Sequence, residues 1–364
     1  MVLETTGKPI CLFLDANIWR KEQLLNSSMG AALLYRLSKI GGRIALPEVT
    51  EQEVMWRAVI TGRVAVGNIR NDLAVVRSLV GKTDEIELPS DSAFEEAAEA
   101  RFRELDDILV RVETSLGHYR SALRRVIRGS APNTTKEQFR DSLLWEAVVH
   151  LLPDYRVVLI TNDSDFCESK KFEKGLAKGL IEECEKLNSV VTLHDSLASY
   201  LRSAREEVPP LEYEKIAALI SEIIVNKDLV EFANSKGFSL GNLKEHSIEA
   251  FIIERRGVLA LEFTLSYQVF NVKETQAIID TDIGPQLEEL EEPVFHPEAV
   301  LVVAGSCFFD ERNNTVLELS LADIDCLAPN GQRIIGHGVG FMSGSITIGR
   351  KQIPHKVKRP IDQI

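Results

Sequence analysis

Residues 157–166, VVLITNDSDF, join an uninterrupted apolar run to a polar cluster that holds two carboxylates, Asp163 and Asp165. Val157, Val158, Leu159 and Ile160 suit a parallel strand covered on both faces. Ligands of open α/β sheets bind beyond the carboxyl ends of the strands, so two carboxylates placed there could hold a metal ion. The arrangement recurs near the start, where apolar Ile10–Leu14 delivers Asp15, followed by Ala16, Asn17, Ile18 and Trp19. Each acid also has a plainer use. An aspartate after a strand serves as the N-cap of the next helix, and Asp and Asn form turns. Cys167, next to the cluster, reads as a packing residue because nothing identifies a base for it.

Two further segments must position these acids. Asp141 opens a helical pattern in which Leu144, Ala147, Val148 and Leu151 recur at helix spacing, and the helix leads through Pro153 into the strand at 157. Residues 46–54, LPEVTEQEV, follow a strand expected at 43–46 and put Glu48, Glu51 and Glu53 at the start of a helix. Acidic residues in a first helical turn are favoured by the helix dipole, so these glutamates need no further function.

The order LFLDAN, PEVTEQEV, a long helical insert, DSLLWEAVVHLL and ITNDSDF resembles the PIN-domain nucleases over roughly residues 8–200, in particular a PIN-like branch with a DSLLWE helix and a TNDSDF strand end. The resemblance implies a parallel sheet flanked by helices and a catalytic set of Asp15, Glu53, Asp141 and Asp163. Glu51 is the alternative to Glu53. The same four residues would hold Mg²⁺ or Mn²⁺, with Asp165 as an auxiliary ligand and Asn17 as an orienting group. The segment between Val54 and Asp141 is longer than in minimal members, and would reshape the substrate channel. Carboxylate oxygens are hard ligands suited to these cations. Clustered carboxylates raise one another's pKa, a repulsion that a cation offsets. No His–Cys or Cys–Cys zinc spacing occurs, nor a GxxxxGK[ST] phosphate loop.

A chain of 364 residues exceeds the size at which one core keeps growing. Two domains are expected: a PIN-like nuclease domain over 1–205, with a helical insert at about 68–135, and a smaller α+β accessory domain with an antiparallel sheet over 211–364. EEVPP at 206–210 marks the boundary. Beyond it come an amphipathic helix at 213–234 and β-rich runs at 247–254, 258–271, 299–309, 314–325 and 333–348. Residues 282–298 read as an acidic, solvated connector. In the first domain, helices are expected at 24–40, 48–60, 68–80, from Ser90 or Asp91 to about 109, at 170–188 and at 196–205, with a strand at 190–193.

The net charge of −13 falls unevenly: residues 205–364 hold 15 of the 42 basic and 25 of the 55 acidic residues, leaving 27 and 30 before them, a balance of −3. A nucleic-acid partner is therefore compatible with a local basic patch. Arg120, Arg124, Arg125 and Arg128 largely share a helix face, and Lys136 and Arg140 follow, Arg140 directly before Asp141. These six are the candidate phosphate contacts, and a solvated basic face is the plainer alternative. The basic stretch 350–359 could join them. Five scattered cysteines fit reduced thiols in a cytoplasmic protein. No signal peptide and no apolar run of membrane-spanning length are expected. The resemblance thus implies a metal-dependent endoribonuclease acting on RNA, with single-stranded DNA as a second substrate class. A toxin or anti-phage defence setting, an inhibitor or regulatory protein and a homo-oligomer are further expectations by analogy. The rivals are a catalytically silent PIN-fold scaffold and a single-strand or flap DNA nuclease.

Overall fold

The computed structural model describes residues 7–82, 86–133, 138–204, 206–281, 284–331 and 333–338. The chain divides into two compact units with the main boundary after Ala204.

The first unit runs β1 (Ile10–Leu14), α1 (Ala16–Lys21), α2 (Ser28–Ile40), β2 (Arg43–Pro47), α3 (Glu48–Val80), α4 (Asp91–Glu104), β3 (Leu109–Val112), α5 (Leu116–Arg128), α6 (Phe139–Leu151), β4 (Arg156–Ile160), α7 (Lys178–Lys186), β5 (Thr192–His194) and α8 (Leu197–Ser203). Its five strands lie in the order β3-β2-β1-β4-β5. All are parallel, with Leu14 beside Ile160, Pro47 beside Val112 and Ile160 beside His194. Every carboxyl end therefore reaches the same edge, and whatever follows each strand gathers there. Cys11, Leu12, Phe13, Leu14 and Val157, Val158, Leu159, Ile160 are all buried, as expected of strands covered on both faces. Trp145, Ala147, Val148 and Leu151 of α6 pack with Phe13, Val157 and Leu159, which locks the helix that carries Asp141 onto the strands. Burying each large apolar side chain stabilises by about 1.5–3 kcal/mol.

The insert differs from its expected form. Residues 48–80 form one unbroken helix of 33 residues, about 50 Å long, instead of two. Gly62 does not interrupt it; a Cβ there would come within 2.5 Å of the Phe94 ring, so the glycine admits α4. The helix expected to reach about residue 109 stops at Glu104, and after a short turn the β-branched Val110 and Val112 pair with β2 as an edge strand. That pairing was invisible locally, because it depends on the neighbour strand. The helix expected from residue 24 begins at Ser28. Gln23, Leu24 and Leu25 take left-handed φ values of 50, 57 and 62°. Arg101 of α4, 4 % exposed, holds that turn by donating from Nε to the Leu24 carbonyl (3.0 Å) and from Nη2 to the Leu25 carbonyl (2.9 Å). Likewise residues 164–174 form short 3-10 turns, and α7 starts only at Lys178.

The second unit opens with α9 (Tyr213–Ile224), which continues through a wide turn, Val225–Leu229, into α10 (Val230–Ser235). Then follow β6 (Ser239–Ile252), β7 (Val258–Phe270), β8 (Lys273–Thr281), β9 (Gly284–Phe295), β10 (Val300–Asp310), β11 (Thr315–Leu327) and β12 (Arg333–Gly338). Five strands make an antiparallel sheet in the order β12-β11-β10-β7-β6. Ile216, Ile220 and Ile224 of α9 pack with Leu259, Leu261 and Phe263 of β7. The acidic stretch expected as a connector is largely strand: β9 pairs with β8 in a two-stranded hairpin, from Thr281↔Gly284 to Lys273↔Phe295. Ladder pairing uses only backbone N–H and C=O groups, which charge density in the sequence does not reveal. Residues 350–359 lie outside the described residues.

All five cysteines are free and buried. Burial pushes the thiol of Cys11 up to about 12, those of Cys167, Cys184 and Cys326 up to about 11, and that of Cys307 up as well. Among the described residues no helix is long and apolar enough to cross a membrane.

Candidate active site

Asp15 leaves β1 at the N-cap position of α1, yet its side chain makes no capping hydrogen bond. The carboxylate instead accepts from the Thr161 hydroxyl at 2.9 Å, and the residue is only 8 % exposed. Burial pushes its pKa up; the Thr161 and Ala16 hydrogen bonds work against this, and the charges of Glu53 and Asp163 add to it. Thr161 is fully buried. Its N–H donates to the His194 carbonyl at 3.0 Å, and its Oγ1 accepts from the Asp163 N–H at 2.9 Å. One hydroxyl thus ties Asp15 to the loop after β4. Sequence reasoning missed this residue, although a threonine before an Asn-Asp run is a recognisable turn signal.

Asp163 accepts from the Asp165 N–H at 2.8 Å, so one of the two loop aspartates does serve as a cap. Asp165 receives the Gln138 side-chain amide and an ion pair from Lys170 Nζ at 2.6 Å. Asp141 lies in the first turn of α6, where Gln138 holds the N-cap position, so Asp141 is not the cap. Its carboxyl is pushed up to about 7, first by burial, then by the charges of Asp163 and Asp15, with Arg140 opposing and Asp165 adding. Acids from four segments therefore feel one another across the carboxyl edge of the sheet.

The three glutamates of α3 separate by position. Glu48 accepts from the Thr114 N–H at 3.0 Å, and Glu51 pairs with Arg111. Glu53, 13 % exposed at its side chain, is the one whose charge bears on Asp15; Arg140 Nη1 meets it at 2.9 Å and Arg57 Nε at 3.7 Å.

Among the described residues, no three His, Cys, Asp or Glu side chains form a group that could hold a metal ion. The donor chemistry still fits a hard divalent cation. Every acid offered is a carboxylate, and Asp15 and Asp141 are both pushed up, first by burial and further by neighbouring negative charge. Asp15, Glu53, Asp141, Asp163 and Asp165 are the carboxylates on which a metal-dependent reading rests.

The basic candidates divide. Arg120, Arg124 and Arg128 are exposed on α5. Arg125 requires a correction: it turns inward, to Glu146 Oε1 at 2.6 Å and to Glu183 at 2.9 and 2.5 Å, and its side chain is 12 % exposed. Trp145 Nε1 completes that network by donating to Glu183 at 2.9 Å. Arg140 is exposed but engaged with Glu53. Lys136 lies outside the described residues. His118 stands in the capping box of α5 with Ser115 and its ring meets His150 edge-on, while His194 faces Ser199 and Tyr200.

Residues 12–166 match the family model described as the PIN domain. Comparison with curated proteins and with solved structures returned no match. The match begins at the strand that delivers Asp15 and ends just past Asp165, so it spans every acid that meets at the sheet edge. The first unit is thus similar to the PIN domain across the stretch that carries these acids.

Proposed function

We propose that the protein is a divalent-metal-dependent endoribonuclease whose site is formed by Asp15, Glu53, Asp141 and Asp163, with Asp165 beside them. The observation that carries this reading is electrostatic: acids from segments far apart in the chain converge at the carboxyl edge of a parallel sheet, and Asp141 is held near a pKa of about 7 there. Mg²⁺ or Mn²⁺ would supply activation of water and stabilisation of charge on the phosphodiester oxygens. Thr161 fixes the Asp15 carboxylate, and the first turn of α6 presents Asp141. Arg120, Arg124 and Arg128 offer a backbone-contacting face on α5, which is sequence-independent by nature. RNA is the proposed substrate and single-stranded DNA the alternative, in a cytoplasmic setting where an inhibitor or regulatory partner restrains the enzyme, as a toxin or defence effector would need.

The test is cleavage of an RNA and single-stranded DNA panel with Mn²⁺ or Mg²⁺, with EDTA and Asp141→Asn as controls. Expected is RNA cleavage that both controls abolish, while Asp141→Asn melts at or above the wild-type temperature because a buried, repelled carboxylate is gone. A second reading, a partner-binding scaffold without activity, is favoured by the absence of a three-carboxylate group among the described residues. Silence on every substrate together with no cation binding by calorimetry would establish that reading instead.

A further inference from the structure

Two cationic side chains reach into the acidic site from solvent. Arg140 Nη1 lies 2.9 Å from Glu53 Oε1, and Lys170 Nζ lies 2.6 Å from Asp165 Oδ1. The carboxylate side chains are 13 % and 11 % exposed, whereas the cations keep 56 % and 41 %. The carboxylates are the buried partners, and the cations reach them on long, half-exposed stems. Lys170 is held there by an unusual backbone. Ser169 and Lys170 both adopt left-handed φ values, 54 and 57°, which residues with a Cβ rarely take. Such a conformation persists where surrounding contacts fix it. Here those contacts are the Lys170 N–H to the Cys167 carbonyl at 3.2 Å, the Lys171 N–H to the Glu168 carbonyl at 3.2 Å, and the bridge between Cys167 and Leu176.

We infer that Arg140 and Lys170 form a cation-gated phosphate clamp: they neutralise Glu53 and Asp165 while the site lacks its divalent ion, and turn to the nucleic-acid backbone once that ion takes the carboxylates. The inference rests on the metal-nuclease reading. It accounts for both ion pairs, in which a half-exposed cation meets a largely buried carboxylate of the site. The strained turn is kept because it aims Lys170 at the loop that holds Asp163 and Asp165. The clamp imposes an order, with the cation first and the phosphodiester second, and therefore a positive coupling between the two ligands that must be reciprocal.

Mn²⁺ affinity, read as free Mn²⁺ by electron paramagnetic resonance, tests the clamp without reference to turnover. Arg140→Gln and Lys170→Gln each remove a competitor and should tighten Mn²⁺ binding about two- to fivefold, the range that an exposed ion pair supplies. Arg124→Gln, which touches no carboxylate of the site, is the control for a general loss of positive charge. In a second arm, fluorescence anisotropy of a cleavage-resistant phosphorothioate oligonucleotide should show tighter binding with Mn²⁺ than with EDTA, and the gain should shrink in both variants. Unchanged or weaker Mn²⁺ affinity in both variants, or equal tightening in Arg124→Gln, overturns the clamp and leaves the nuclease reading standing. No Mn²⁺ binding by any form of the protein overturns both.

Discussion

Four arginines crowd one helix, and their fates diverge by side-chain contact alone. Arg125 bridges Glu146 and Glu183 in a half-buried network, while Arg120, Arg124 and Arg128 face solvent. Truncating one partner of such a network strands the remaining charges, so Arg125→Ala should lower stability by about 3–5 kcal/mol in urea unfolding. Arg124→Ala should stay within about 0.5 kcal/mol of wild type. An Arg125→Ala protein as stable as the parent would mean that the two glutamates find other partners. Helix spacing in the sequence already set residue 125 about 100° from residue 124. It could not name Glu146 and Glu183, which lie in α6 and α7. Asp15 illustrates the opposite case: strand, acid and following helix were legible, and only the Thr161 hydrogen bond distinguishes a site carboxylate from a helix cap.

At the scale of the element, α3 and α4 decide how the insert is built. Two glycines of α3, Gly62 and Gly67, stand in different surroundings. A Cβ at Gly62 would meet the Phe94 ring at 2.5 Å, whereas Gly67 has nothing within 4 Å. Gly67→Ala should therefore stabilise the protein by up to about 1 kcal/mol through helix propensity. Gly62→Ala gains the same propensity but overpacks the α3–α4 contact, at a cost of about 1–3 kcal/mol, for a net loss. Thermal melts of the two variants should move in opposite directions; a shared direction would show that Phe94 yields freely. The strands β1, β2 and β4 were readable because their apolar runs are continuous. The edge strand β3 and the hairpin strand β9 were not, since each is defined by a partner strand and not by its own pattern.

For the whole molecule, the change from parallel to antiparallel sheet was legible in the shift from alternating elements to successive β runs. The grouping of Asp15, Glu53, Asp141 and Asp163 was legible only through the family resemblance and not from their spacing in the chain, whereas the parallel register shows how the ends of β1 and β4 come side by side. The buried thiols have a use of a different kind, as clocks. Cys11, Cys167 and Cys184 belong to the first unit, and Cys307 and Cys326 to the second; all are buried, with pKa values of about 11 or higher. At pH 8 almost none is thiolate, so an alkylating reagent can reach them only when a unit opens. Mass-spectrometric labelling in low urea should mark the cysteines in two groups, three together and two together, each timed by its own unit. Cys167 labelling ahead of Cys11 would instead reveal that the loop after β4, with its acids, opens on its own.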